Sequence, residues 1–158
     1  MSEYEEWILE ITGAKKVLKS EVVQTLWSGY GELLRVTLKG GNCSSVILKR
    51  ITLPDQKQHP RGWNTHFSHQ RKLKSYQIEM EWYKNGASRC SSVCKVPICY
   101  ETKNLTNTQL ILLEDLDTIG YAKRRTSLTI DEVNVCINWL ANFPVSYTHL
   151  TLPTICSV

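Results

Sequence analysis

The chain has no apolar run approaching the length of a bilayer span, no internal repeat, no low-complexity tract and no block of like charge. Nothing therefore points to a helical membrane protein, a repeat architecture or a charged tail. The amino end, MSEYEEWILEI, is acidic where a secretory signal would be basic. Net charge is only +4, from 19 Lys+Arg against 15 Asp+Glu, too mild to demand nucleic acid or an anionic membrane surface. A phosphate ligand is compatible with it, and a cytoplasmic location is expected. Cysteine framework spacing is missing as well. Six cysteines are present, and setting Cys156 aside leaves Cys43, Cys90, Cys94, Cys99 and Cys136, an odd number that fits reduced thiols.

Charge and apolar periodicity are also absent from VSYTHLTLPT, Val145 to Thr154. These residues can be encoded by GTC TCT TAT ACA CAT CTG ACG CTG CCG ACG, which resembles the mosaic end and read primer of a transposase-based sequencing adapter. Residues 145–158 are therefore expected to be a translated adapter, a non-native tail to be set aside like a fusion scar. Pro144 straddles the join. Residues 1–144 are expected to form one incomplete domain whose natural continuation was cut off by the end of a sequencing read.

What is there reads as an α+β pattern. Tyr4, Trp7, Ile8 and Ile11 recur at helical spacing behind Ser2, a candidate N-cap, and Gly13 ends that helix. The run EVVQTLWSGYGELLRVTL, from Glu21 to Leu38, has two β-rich halves about Ser28–Gly31, a hairpin signal. Gly40, Gly41 and Asn42 mark a turn before the apolar strand SSVILKRI, and Leu53–Asn64 reads as a surface loop. Phe67, Leu73, Tyr76, Met80 and Tyr83 trace the stripe of a helix from about Thr65 to Asn85. A strand at Val96–Tyr100, a polar turn at Lys103–Thr108 and a buried strand in QLILLEDLD follow. The last helix starts after Thr129, with Glu132 at the capping-box position, and is expected to bury Val133, Ile137 and Leu140. This order implies a protein-kinase-like amino-terminal lobe: an antiparallel five-stranded sheet with one packed helix.

Several residues could carry chemistry. Gly29 and Gly31, flanking Tyr30, leave backbone amides unshielded, so the turn could lie over phosphate oxygens; taken alone, a bare GxG is better accounted for by a tight hairpin needing positive φ. Tyr30 could cap a ligand or cover the sheet. Alternation in SSVILKRI puts Ile47, Lys49 and Ile51 on one face, leaving the Lys49 ammonium on an otherwise apolar surface. Glu79 and Glu81 are candidate partners about 200° apart around the helix, and Glu79 lies on the apolar stripe. Chain leaving the buried strand at Leu113, Glu114, Asp115 and Leu116 exposes backbone groups that an adenine edge could pair with; an ordinary acidic turn is the alternative. Cys90, Cys94 and Cys99 are spaced wrongly for a zinc knuckle, and no metal ligand set is assigned. His59, His66 and His69, with Arg61, Arg71 and Lys72, form a basic stretch open to a phosphate or substrate contact, or to plain solvation.

LWSGYGELLRVTL, SSVILKRITLPDQKQHPRGWNTHFSHQRKLKSYQIEMEWYKN and LILLEDLDTIGY, with INWLANF behind them, resemble the bacterial branch of the ecdysteroid-kinase-like, choline-kinase-like phosphotransferases, related in fold to aminoglycoside phosphotransferases. The resemblance spans most of residues 15–143. It implies ATP and Mg as cofactors and transfer of the γ-phosphoryl group to a hydroxyl of a small molecule. Lys49 matches the phosphate-contacting lysine, Glu79 its pairing glutamate and Leu113–Leu116 the hinge. SGYGEL lacks a third glycine, which departs from protein kinases. The catalytic aspartate and the metal-binding aspartate belong to the family's carboxy-terminal lobe, so no catalytic residue and no Mg ligand is expected within residues 1–144. The acceptor pocket lies mostly in that lobe too, leaving the acceptor unnamed and the oligomeric state open. The alternative from another class is a stand-alone basic binding module in which Lys49 is structural. Genomic sequence across the break separates the two, an HxD-type loop favouring the kinase and an early stop codon the module. The purified 158-residue chain is expected to show no phosphotransfer, because positioning and neutralisation by the metal carry most of that catalysis; ATP turnover by this chain would contradict the reading.

Overall fold

The computed structural model describes residues 3–26, 29–52 and 66–143. The expected N-cap Ser2, the loop at Leu53–Asn64, with His59 and Arg61, and the tail at 145–158 lie outside the described residues, as do the side chains of His66, Phe67 and His69. Among the described residues three α-helices and five strands occur in the order α1 (Glu3–Thr12), β1 (Lys16–Thr25), β2 (Gly31–Lys39), β3 (Ser45–Thr52), α2 (His66–Asn85), β4 (Cys99–Asn104), β5 (Thr108–Glu114) and α3 (Ile130–Ala141). The sheet order is β1-β2-β3-β5-β4, and every pairing is antiparallel. No helix among the described residues is long and apolar enough to cross a membrane.

Period-two alternation divides the central strands between two cores. On one face Leu34, Val36, Leu38, Val46, Leu48, Leu110 and Leu112 are buried together with Ile8 of α1, and Tyr4, Trp7 and Ile11 pack against them. On the other, Ile51, Ile111 and Leu113 meet Met80 of α2, flanked by Ile47, Tyr76 and Tyr83. Two helices thus cover the sheet, one on each face, where a single packed helix was expected. The four-residue apolar spacing of α1 is what allows it to close the first core.

β4 begins three residues later than its apolar residues suggest. Pro97 has no N–H to give a ladder and Ile98 turns its own N–H to the Glu114 carboxylate, so pairing starts at Cys99 and runs through the polar Lys103 and Asn104. The turn is correspondingly shorter than the expected Lys103–Thr108, with the Leu105 N–H donating to the Thr108 carbonyl.

For α3 the start is as expected, with the Thr129 hydroxyl and Glu132 carboxylate forming a reciprocal capping box. Its burial is not. Val133 is only half-buried, and Ile137 and Leu140 are 55% and 63% exposed. The helix is attached through its aromatic end instead: the Trp139 indole N–H donates to the Lys95 carbonyl at 2.9 Å, and Phe143 stacks on Trp82 at 5.4 Å. A helical stripe identifies an apolar face but not its partner.

At the β1–β2 turn the two glycines answer different demands. Gly29 has φ 72° with open space around it, and its N–H donates to the Leu26 carbonyl, closing the turn. Gly31 has φ 139°, and a Cβ there would lie 2.0 Å from the Arg50 carbonyl oxygen on β3. Gly31→Ala is therefore expected to separate β2 from β3 and cost more than about 3 kcal/mol, whereas Gly29→Ala costs about 1 kcal/mol. Urea unfolding of the two variants measures the difference, and equal midpoints would refute it.

Candidate functional site

β3 is the middle strand, and Lys49 faces the same side as its cross-strand neighbours Leu33 and Ile111. An ammonium on that surface needs a counter-charge. Glu79 provides it from α2, with Lys49 Nζ donating to Oε1 at 2.5 Å and to Oε2 at 2.7 Å. The pair is sheltered, with side-chain exposures of 15% and 30%. Glu81 bonds to Asn85 one turn along and stays exposed. The helix stripe thus separated the two carboxylates correctly.

An ammonium has three donors, and two go to Glu79. Among the described residues no acceptor takes the third. Lys49 Nζ also lies 5.7 Å from the centre of the Tyr76 ring, which holds the lysine end over α2. Tyr76 and Tyr83 flank Glu79 on the helix; burial, with the Glu79 charge adding to it, pushes the Tyr83 hydroxyl up to about 12. Both phenols remain neutral around the ion pair at ordinary pH.

Gly31 pairs with Ile51 and Leu33 with Lys49, so the glycine turn ends two residues along the ladder from Lys49, about 7 Å between backbone positions. Tyr30 is buried, its ring 6.1 Å from that of Tyr76, so it lies toward α2. Its carbonyl accepts from the Thr52 N–H, extending the β2–β3 ladder. Part of the expected phosphate cradle is engaged by the fold itself: the Gly29 amide closes its own turn, and Gly31 serves the approach of two strands.

At the end of β5, Leu113 is buried in the α2-side core. The Glu114 N–H donates to the Ile98 carbonyl, and its carboxylate takes the Lys95 ammonium at 2.7 Å. Asp115 is 2% exposed. It accepts from Arg35 Nε at 2.8 Å, Arg35 Nη2 at 3.2 Å and the Ser45 hydroxyl at 2.6 Å, and caps the short turn at Leu116–Ile119 through the Asp117 N–H. Asp117 joins the cluster through Arg35 and Arg124. The Leu116 carbonyl accepts from the Tyr121 N–H, so this turn is largely self-satisfied. Sequence reading missed Arg35 and Ser45 as members. Their positions on β2 and β3 share the Lys49 face, but a partner 80 residues away for Arg35 and 70 for Ser45 leaves no local signal.

Among the described residues no group of three or more His, Cys, Asp or Glu side chains could hold a metal ion. Cys43, Cys90, Cys94, Cys99 and Cys136 are free thiols. Burial pushes the Cys99 thiol up to about 11, which suits packing rather than reactivity.

No protein-family model matches this chain. No curated protein matches it either.

Burial alone would raise the Asp115 carboxyl, but Arg35, Ser45 and the Asp117 N–H outweigh it and hold the group below its ordinary value. A carboxylate depressed on folding contributes stability above its unfolded pKa and loses it as pH falls through the folded one. Asp115→Asn is expected to cost about 3 kcal/mol at pH 7, with the gap to wild type closing below about pH 4. Urea midpoints measured from pH 7 to pH 3 test this, and a gap independent of pH would exclude the charge as its cause.

Proposed function

We propose that this chain is the amino-terminal, nucleotide-binding lobe of an ATP-dependent phosphotransferase acting on a hydroxyl of a small molecule, of the ecdysteroid-kinase-like and choline-kinase-like kind. The observation that carries the reading is the Lys49–Glu79 pair, made between the central strand and the helix packed on it, beside a glycine turn. A lysine fixed by a carboxylate keeps one donor for a phosphate oxygen and is oriented before the ligand arrives. The antiparallel five-stranded sheet and the position of α2 support the same reading.

ATP with its metal would supply the transferable phosphoryl group and the charge neutralisation for its transfer. Within this chain, Lys49 would hold phosphate oxygens, Glu79 would hold Lys49, Gly29, Tyr30 and Gly31 would cover them, and the backbone at Leu113–Leu116 would border the base. Glu114 and Asp115 would serve through their backbone, since both carboxylates are committed to Lys95 and Arg35.

In the protein extended by its own genomic continuation, transfer from γ-labelled ATP to a panel of hydroxyl-bearing small molecules is expected. Lys49→Met should lower kcat/KM by roughly 10³-fold, and Glu79→Gln by a smaller factor, since the first removes the contact and the second only its support. Full transfer activity in Lys49→Met would sink the proposal, as would a continuation whose product transfers no phosphate.

A further inference from the structure

The α2 face toward the sheet carries a second cation that the Lys49–Glu79 pair does not account for. Lys72 stands one turn before Tyr76 and two before Glu79, on the same side of the helix. Its Nζ lies 4.5 Å from the centre of the Tyr30 ring, in the segment between the two turn glycines. The Tyr30 and Tyr76 rings are 6.1 Å apart, and Lys49 Nζ lies 5.7 Å from the second of them. The two ammonium groups therefore lie each over one ring of a neighbouring pair of phenols at the end of the glycine turn.

Their electrostatic situations differ. Glu79 neutralises Lys49, whereas among the described residues no carboxylate pairs with Lys72. Lys72 is nevertheless half-buried, and loss of solvent pushes its pKa below the ordinary lysine value. An aromatic face offsets part of that cost but brings no counter-charge. Among the described residues, Lys72 thus adds a positive charge beside the glycine turn that no carboxylate offsets, next to a Lys49 already paired with Glu79.

We propose that Lys72 is a second phosphate-contacting residue of this site, so that the ligand held at the glycine turn is a di- or triphosphate chain spanning Lys49 and Lys72 rather than a single phosphate. The inference rests on Lys49 being a phosphate contact. No bond is made or broken at Lys72; its ammonium donates to phosphate oxygens and replaces its ring contact by a charge-assisted one.

Competitive acylation of the 158-residue chain, read by mass spectrometry with millimolar inorganic tripolyphosphate as the probe, tests it. Protection of both Lys49 and Lys72, with the exposed Lys74 labelled as before, is the expected result. Protection of Lys49 alone overturns the proposal while leaving the functional reading standing; protection of neither overturns both, and equal protection of Lys74 shows unspecific screening and also overturns it. By titration, Lys72→Gln should weaken tripolyphosphate roughly tenfold with little effect on orthophosphate, and Lys72→Arg should retain it. A Lys72→Gln variant that unfolds would lose the difference in labelling between the sheltered Lys49 and the exposed Lys74, and the wild-type protection pattern is then the deciding measurement.

Discussion

The central strand of this sheet is buried on both faces and still carries a charge, and that conflict organises the molecule. Val46 and Leu48 face α1, while Ile47 and Ile51 face α2, and Lys49 stands between the latter two. An ammonium in such a place destabilises the fold unless a carboxylate reaches it. Glu79 can reach it only if α2 lies across the α2-side core with Tyr76, Met80 and Tyr83 turned inward. The ion pair and the apolar packing of that helix therefore specify the same orientation. The consistency is what makes the pair usable as a fixed donor rather than a flexible surface contact.

A second polar knot ties the other end of the same face. Arg35 reaches from β2 to Asp115 and Asp117, and Ser45 adds its hydroxyl from the start of β3. The chain leaving β5 is thereby fixed to two strands it does not neighbour directly in sequence. Lys49–Glu79 and Arg35–Asp115 bracket the surface on which a nucleotide would lie in the proposed function, one beside the glycine turn and one beside the hinge. Trp82, Trp139 and Phe143 join the far end of α2 to α3, outside that surface.

Much of this was legible in the residues. Alternation in SSVILKRI put Lys49 on the Ile47 and Ile51 face, because a strand has a period of two and little freedom to depart from it. Helical spacing placed Glu79, not Glu81, toward the sheet for the same kind of reason. The capping residues Thr129 and Glu132 marked the start of α3, since a cap is a local bond within four residues. Apolar character at Val96–Tyr100 does not mark the start of β4, because Pro97 and the Glu114 carboxylate remove the donors that pairing requires.

By itself, then, the sequence determined what local periodicity and local bonding can determine: the elements, their apolar faces, and which carboxylate of α2 looks toward Lys49. Only the tertiary structure decided what each face meets. It placed α1 as well as α2 on the sheet, left Ile137 and Leu140 of α3 exposed, gave Gly31 to the contact between β2 and β3, and joined Arg35 to Asp115. Those outcomes depend on contacts between residues far apart in the chain, and the geometry of such contacts is set by the packing of whole elements rather than by any neighbouring residue.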